Sequence, residues 1–154
     1  MLNLKLIAIG KIKNKYFSDA IAEYRKRIKP YARLEVVELK EESFTKSNQV
    51  KAKEIEGQKI IEALEKENNA FIIALDETGE EFSSPEFANL LNSKPEKIIF
   101  IIGGSLGLAD EVIKKSHKKI SLSRLTFTHE MARLFLFEQI YRATTIVNKK
   151  DYHH

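Results

Sequence analysis

The runs FIIAL at 71–75 and IIFII at 98–102 place apolar, mostly β-branched residues at consecutive positions where a half-wet strand would alternate. Such strands are buried on both faces, which requires a mainly parallel sheet with helices covering each side. LKLIAIG at 4–10 and LEVVEL at 34–39 read as two further strands, and KKISLS at 118–123 as a weaker fifth. Helical patterns separate them: Tyr16 to Ile28 is amphipathic, 46–66 is long and charged, Ser84-Pro85-Glu86 caps a short helix, and Ala109 to Lys115 forms another. A last helix runs from about His129 to Asn148. The expected order is β-α repeated five times, an α/β fold in which 154 residues, 43% of them hydrophobic, form a single domain over 1–154.

Composition removes several classes of function. With no cysteine there is no disulfide framework, thiolate nucleophile or Cys-ligated metal, an absence that fits a cytoplasmic protein. No apolar run approaches the roughly 18 residues of a membrane span, and MLNLKLIAIGKIK places its charge after its apolar residues, unlike a signal peptide. No H-x-x-x-H or H-E-x-x-H pattern suggests a metal site. The net charge of +4 hides a partition. Residues 1–33 carry +7, residues 34–96 carry −8 and residues 97–154 carry +5. Basic ends around an acidic middle can present one positive surface to a phosphate-rich polymer, or can reflect solvated helices of mixed charge.

The sharpest local motif is IIFIIGGSLGLADEV, where a buried strand ends in Gly103-Gly104, reaches Gly107 and enters a helix. Ligands of open α/β sheets bind beyond the carboxyl ends of strands, so this is a candidate nucleotide loop; a turn that only packs strand against helix is the alternative. Neither the dinucleotide G-x-G-x-x-G nor the phosphate-loop G-x-x-x-x-G-K-[ST] is present. Next, SLSRLTFT offers hydroxyls at Ser121, Ser123, Thr126 and Thr128, suited either to a ligand's polar edge or to an ordinary strand-to-helix connection ending in the N-cap Thr128.

In the last helix, Phe135, Leu136, Phe137, Ile140, Tyr141 and Val147 exceed one narrow stripe, so the helix is buried on several sides, by the core or by a second subunit. Glu138 and Arg142, four residues apart, form a surface pair or position a substrate. His117 reads as solvated. The closing DYHH is a frayed tail by default, although Tyr152 and His153 can stack on and protonate a nucleotide. In YRKRIKPYAR at 24–33, basic residues are interleaved with tyrosines, as suits phosphate contacts and base stacking. Asp76-Glu77-Thr78-Gly79 reads as a strand end entering a turn.

IIGGSLGL, LSRLTFTHEMARLFLFEQIYRA and DYHH occur in order near the end of the chain. Together with LKLIAIGKIK, EYRKRI and LDETGEEFSSPEFA, they make the chain resemble the RlmH (YbeA-like) family of 23S rRNA methyltransferases of the SPOUT class. The resemblance implies a C-terminal trefoil knot, which periodicity cannot reveal. It implies a homodimer with S-adenosylmethionine as methyl donor, and N3 of a pseudouridine in helix 69 of 23S rRNA as acceptor. The implied cofactor residues are Leu75, Gly103 and the segment Leu122, Ser123, Arg124, Leu125, Thr126 and Phe127. His153, Arg142 and Tyr152 are the implied catalytic residues, and no metal is required. His153 would handle the N3 proton, Arg142 would offset negative charge and Tyr152 would hold the base. One departure is Thr128, where the family more often has proline. Competing readings are a SPOUT enzyme acting on tRNA or another rRNA site, and a non-catalytic RNA-binding or ribosome-assembly factor. A dehydrogenase ranks last for want of the dinucleotide fingerprint.

Overall fold

A computed structural model of the chain describes residues 1–94 and 96–154. The elements are β1 (Leu2–Ile9), α1 (Lys15–Ile28), β2 (Ala32–Leu39), α2 (Gln49–Glu65) and β3 (Ala70–Glu81), followed by α3 (Ser84–Asn92), β4 (Lys97–Ile102), α4 (Asp110–Lys115), β5 (Lys118–Ser121) and α5 (His129–Val147). The five strands form one sheet in the order β2-β1-β4-β3-β5. Every neighbouring pair is parallel. The expected order of elements and the parallel sheet are therefore both present.

Consecutive apolar residues serve two cores because side chains alternate across a pleated strand. Leu4, Leu6, Ile98, Phe100 and Ile102 join Ile21 and Ile28 of α1, Phe87 and Leu91 of α3, and Leu136, Phe137 and Ile140 of α5 on one face. Ile7, Ile9, Ile99 and Ile101 meet Ile60, Ile61 and Leu64 of α2 and Val112 of α4 on the other. Core burial thus accounts for Leu136, Phe137 and Ile140 of α5, while Phe135 stays 38% exposed and Tyr141 and Val147 are only half-buried.

Two local expectations need correction. The cap of α3 is Ser83, one residue earlier than Ser84-Pro85-Glu86 suggests: Glu86 N donates to Ser83 Oγ at 3.3 Å, and Ser83 N donates to Glu86 Oε2 at 2.7 Å. A hydroxyl that closes a reciprocal pair with an N3 glutamate outcompetes the neighbouring serine. Asp76-Glu77-Thr78-Gly79 does not end β3. Asp76 Oδ1 accepts from Thr78 N at 2.9 Å and from Thr78 Oγ1 at 2.5 Å, and the strand absorbs this turn as an irregularity. Pairing with β5 resumes at Glu80 after a register shift from Leu75.

Polar groups buried beneath α5 dock it to the carboxyl end of β1. Glu130, 8% exposed, accepts from Lys13 N, from Asn14 N at 3.2 Å and from Asn14 Nδ2 at 2.7 Å, which ties the loop after β1 to the start of α5. Arg133, 2% exposed, donates Nη2 to Gly10 O at 3.0 Å and pairs through Nη1 with Glu38. Removing either partner of such a buried charged contact leaves an uncompensated group, so these residues fix where α5 sits.

Candidate active site

All strands being parallel, the carboxyl ends of β3, β4 and β5 lie along one edge of the sheet, where ligands of open α/β sheets bind. Leu75 precedes the irregularity in β3, Gly103 follows the last residue of β4, and Leu122 to Phe127 follows β5. The three segments implied as cofactor-binding are thereby brought to the same edge.

Gly103 and Gly107 make the middle segment compact. Gly107 N donates to Gly104 O at 3.0 Å, and Gly107 adopts φ +76°, a left-handed conformation that side chains disfavour. A Cβ on Gly103 would stand 2.8 Å from the Gly107 carbonyl carbon, so the turn closes only around a glycine.

The third segment is tied to the first. Thr126 Oγ1 donates to Glu77, and Arg124 Nε lies 3.4 Å from a Glu81 carboxylate oxygen. Within the segment, Ser121 Oγ donates to Ser123 O at 2.7 Å and Leu125 N donates to Ser123 Oγ at 3.1 Å. Among the described residues, the backbone groups of Leu122, Arg124, Thr126 and Phe127 make no backbone hydrogen bond in this connection. Leu125 projects with 72% of its surface exposed, and Phe127 meets Phe135 edge-on at 5.0 Å. Free main-chain donors and acceptors beside apolar side chains and a side-chain-free glycine turn suit an adenine ring and its polar edge. The residues therefore fit a nucleoside-bearing methyl donor.

Thr128 has φ −61°, a value proline also adopts, and its Oγ1 accepts from Met131 N at 3.3 Å. The threonine thus holds the turn that proline would fix and adds a helix cap.

The second group of implied residues gathers farther along α5. Arg142 Nη2 donates to Glu138 Oε1 at 2.6 Å, and Tyr152 Oη donates to the same oxygen at 3.0 Å. The Arg142 guanidinium lies 4.7 Å from the Tyr152 ring centroid, and its Nη1 is 3.4 Å from His153 Nδ1. Tyr152 also meets Tyr141 edge-on at 4.7 Å. The end of the chain is consequently folded back along α5, where the default expectation was a frayed tail. Burial pushes the Tyr152 phenol up, and the neighbouring Tyr24 and Glu138 add to this, so Tyr152 is a hydrogen-bond donor at neutral pH. The Glu138 carboxylate raises the Arg142 guanidinium in turn.

Within one chain the two groups do not meet. From His129, at the sheet edge that carries the implied cofactor segments, to Arg142 is 13 residues of helix, or about 20 Å at ~1.5 Å per residue. The contacts of Tyr152 and His153 go to Tyr24, Glu138, Tyr141 and Arg142, none of them among the implied cofactor residues. Sequence reasoning missed Glu77 and Glu81 as ties between loops, and it named Glu138 only as the partner of Arg142. It also missed Glu130 and Arg133, whose partners lie 117 and 95 residues away. His117 is exposed, as a solvated residue would be, yet its Nδ1 accepts from Ile72 N at 2.9 Å and its ring stacks on Phe71.

Comparison with known proteins identifies the family. The family described as "Predicted SPOUT methyltransferase" matches residues 2–153. "Ribosomal RNA large subunit methyltransferase H" of Kosmotoga olearia is 43% identical, the alignment covering 99% of this chain and 100% of the relative. Its namesakes in Carboxydothermus hydrogenoformans and Clostridioides difficile are each 41% identical, over 99% of both chains. A solved "probable methylase family protein" from Haemophilus influenzae shares the fold, with a TM-score of 0.59 at 16% identity over 99% of this chain and 70% of the other. With a whole-length match and relatives above 40% identity across their full lengths, this chain belongs to the RlmH family of SPOUT methyltransferases.

Proposed function

We propose that the protein methylates N3 of a pseudouridine in helix 69 of 23S rRNA, with S-adenosylmethionine as donor, and that it works in the cytoplasm as a homodimer. The observation that carries this reading is the convergence of Leu75, Gly103 and residues 122–127 on one sheet edge, with unclaimed main-chain polar groups. Those residues would hold the donor, which supplies an electrophilic methyl group on its sulfonium.

The chain's own residues supply positioning and charge. Arg142, fixed by Glu138, presents a permanent positive charge able to offset the negative charge of a deprotonated imide. His153 stands beside it with an imidazole nitrogen able to accept the N3 proton. Tyr152, held through its hydroxyl, keeps its ring at the same place for stacking against a base.

The separation of about 20 Å along α5 favours a dimer, because a second copy can bring its Arg142, Tyr152 and His153 to the cofactor edge of the first. The threading of the C-terminal segment into a trefoil knot, implied by the family, belongs to the same reading.

Calorimetric titration with S-adenosylmethionine, with NAD as control and the molecular mass measured on the same sample, tests this reading. Saturable binding of S-adenosylmethionine and not NAD, by a dimer, is expected. A chain that ignores S-adenosylmethionine while binding RNA stoichiometrically would instead be an assembly factor.

A further inference from the structure

We propose that the groove between the end of α1 and the start of β2 is an anchoring site for the rRNA backbone, in which Arg25, Lys26, Lys29 and Arg33 contact phosphates; this rests on the rRNA-directed reading above. The groove has a volume of about 640 Å³, and these four residues line it together with Ala32 and Leu34, with no acidic side chain among them. Among the described residues, none of the four cations forms an ion pair.

Pairing occupies several of the other basic residues, and the four differ from lysines unpaired among the described residues, such as Lys40, Lys46, Lys51 and Lys66, in lining one groove. The two acids of α1 are already engaged, Asp19 by Lys15 at 2.6 Å and Glu23 by Arg27 at 2.8 Å. Lys118 is bound to Glu80 at 2.8 Å, Lys119 donates to Thr78 Oγ1 at 3.0 Å, and Lys5 and Lys97 share Glu67. Favourable interaction with the carboxyl end of the α1 dipole accounts for Arg25 and Lys26 in its last turn. The same interaction covers Lys29 at the C-cap, but it does not account for Arg33, which lies in β2 and completes a lined groove.

The groove sits at the amino end of β2, opposite the carboxyl edge that carries the cofactor segments. The eight residues of β2 span about 25 Å at ~3.3 Å each, so the groove lies far from this chain's own cofactor-edge segments and at the end of α1 where Tyr24 and Arg27 meet Tyr141 of α5. Across the turn at 29–33 lies a second depression of about 510 Å³, whose lining includes Asn3, Tyr31, Asn92 and Asn148. Lys94, Glu96 and apolar residues such as Leu2 and Val147 share this lining, and its amides and tyrosine beside a phosphate groove match base edges and stacking.

The test compares the parent with R25Q/K26Q/K29Q/R33Q and with K40Q/K46Q/K51Q/K66Q, a control that loses the same charge from the acidic middle of the chain. Binding of each to assembled ribosomes is measured across a potassium chloride series at fixed magnesium, with S-adenosylmethionine affinity determined separately. The groove variant should lose ribosome affinity by about ten-fold or more, and the slope of log affinity against log salt should flatten by about three. Its S-adenosylmethionine affinity should match the parent's, which also shows that it is folded. A groove variant within two-fold of the parent, or a slope change equal to that of the control, overturns the assignment. Failure of the parent itself to bind S-adenosylmethionine would count against the methyltransferase reading, a separate result.

Discussion

Replacing Glu138 by alanine removes the one acceptor that Arg142 and Tyr152 share. An exposed pair at i and i+4 contributes only about 0.3–0.5 kcal/mol. Here the two side chains are 24% and 18% exposed, and the same carboxylate oxygen also accepts the Tyr152 hydroxyl at 3.0 Å. Hydrogen bonds to charged groups contribute about 1.5–3 kcal/mol when buried; discounting for the remaining exposure leaves a loss of about 2 kcal/mol. For a chain of 154 residues that lowers the melting temperature by about 4–8 °C at ~2–4 °C per kcal/mol. Methyl transfer should fall by about ten-fold or more, because Arg142 and Tyr152 lose their orientation, while S-adenosylmethionine binds as before. Glu138→Gln keeps an acceptor oxygen and should recover much of both losses. Scanning calorimetry and a single-turnover methyl-transfer assay read the two effects. A Glu138→Ala protein that melts within about 1 °C of the parent and transfers methyl groups at the parent's rate would refute the shared-acceptor account.

Other substitutions probe other parts of the structure. Glu130→Ala, which strips three hydrogen bonds from the loop before α1, should cost about 3 kcal/mol in urea unfolding and speed amide exchange at Lys13 and Asn14. Gly103→Ala would drive a methyl group into the Gly107 backbone, so S-adenosylmethionine binding by calorimetry should weaken by about ten-fold or be lost. His153→Ala should slow methylation while leaving cofactor affinity nearly unchanged; equal rates would remove His153 from the mechanism. The Lys5 and Lys97 ammonium groups beside Glu67 hold its carboxyl below the usual range. Its contribution is therefore complete above the unfolded value of about 4.3 and is lost as pH falls through the lower folded value. Acid unfolding should show the parent's advantage over Glu67→Gln shrinking below about pH 4, and an advantage unchanged at pH 2 would contradict the assignment.

The parallel sheet is legible in FIIAL and IIFII because burial on both faces writes consecutive apolar residues directly into the chain. The glycine turn is legible for a similar reason: Gly103 leaves no room for a Cβ, and Gly107 adopts a positive φ. The extent of β3 is not legible. DETG carries every local mark of a turn, and only pairing of Glu80 and Glu81 with Ile120 and Ser121 shows that the strand continues past it. Glu130 and Arg133 look like solvent-facing charges on a helix, and partners on distant loops alone reveal them as buried anchors. Glu138 is visible as half of a helical pair, but its bond to Tyr152 depends on a chain reversal at 149–152 that no local pattern announces. The proposed cofactor segments follow from strand ends and resemblance together, whereas their separation from Tyr152 and His153 along α5 is visible only in the fold.

The most direct test of the account incubates the purified protein with S-adenosylmethionine carrying a labelled methyl group and with ribosomes from a strain lacking this modification. The labelled nucleotide is then mapped. One methyl group per ribosome, on N3 of a pseudouridine in helix 69 of the large-subunit RNA, is the expected result. Labelling of tRNA or of another rRNA position, or no transfer by a protein that binds ribosomes, would contradict it.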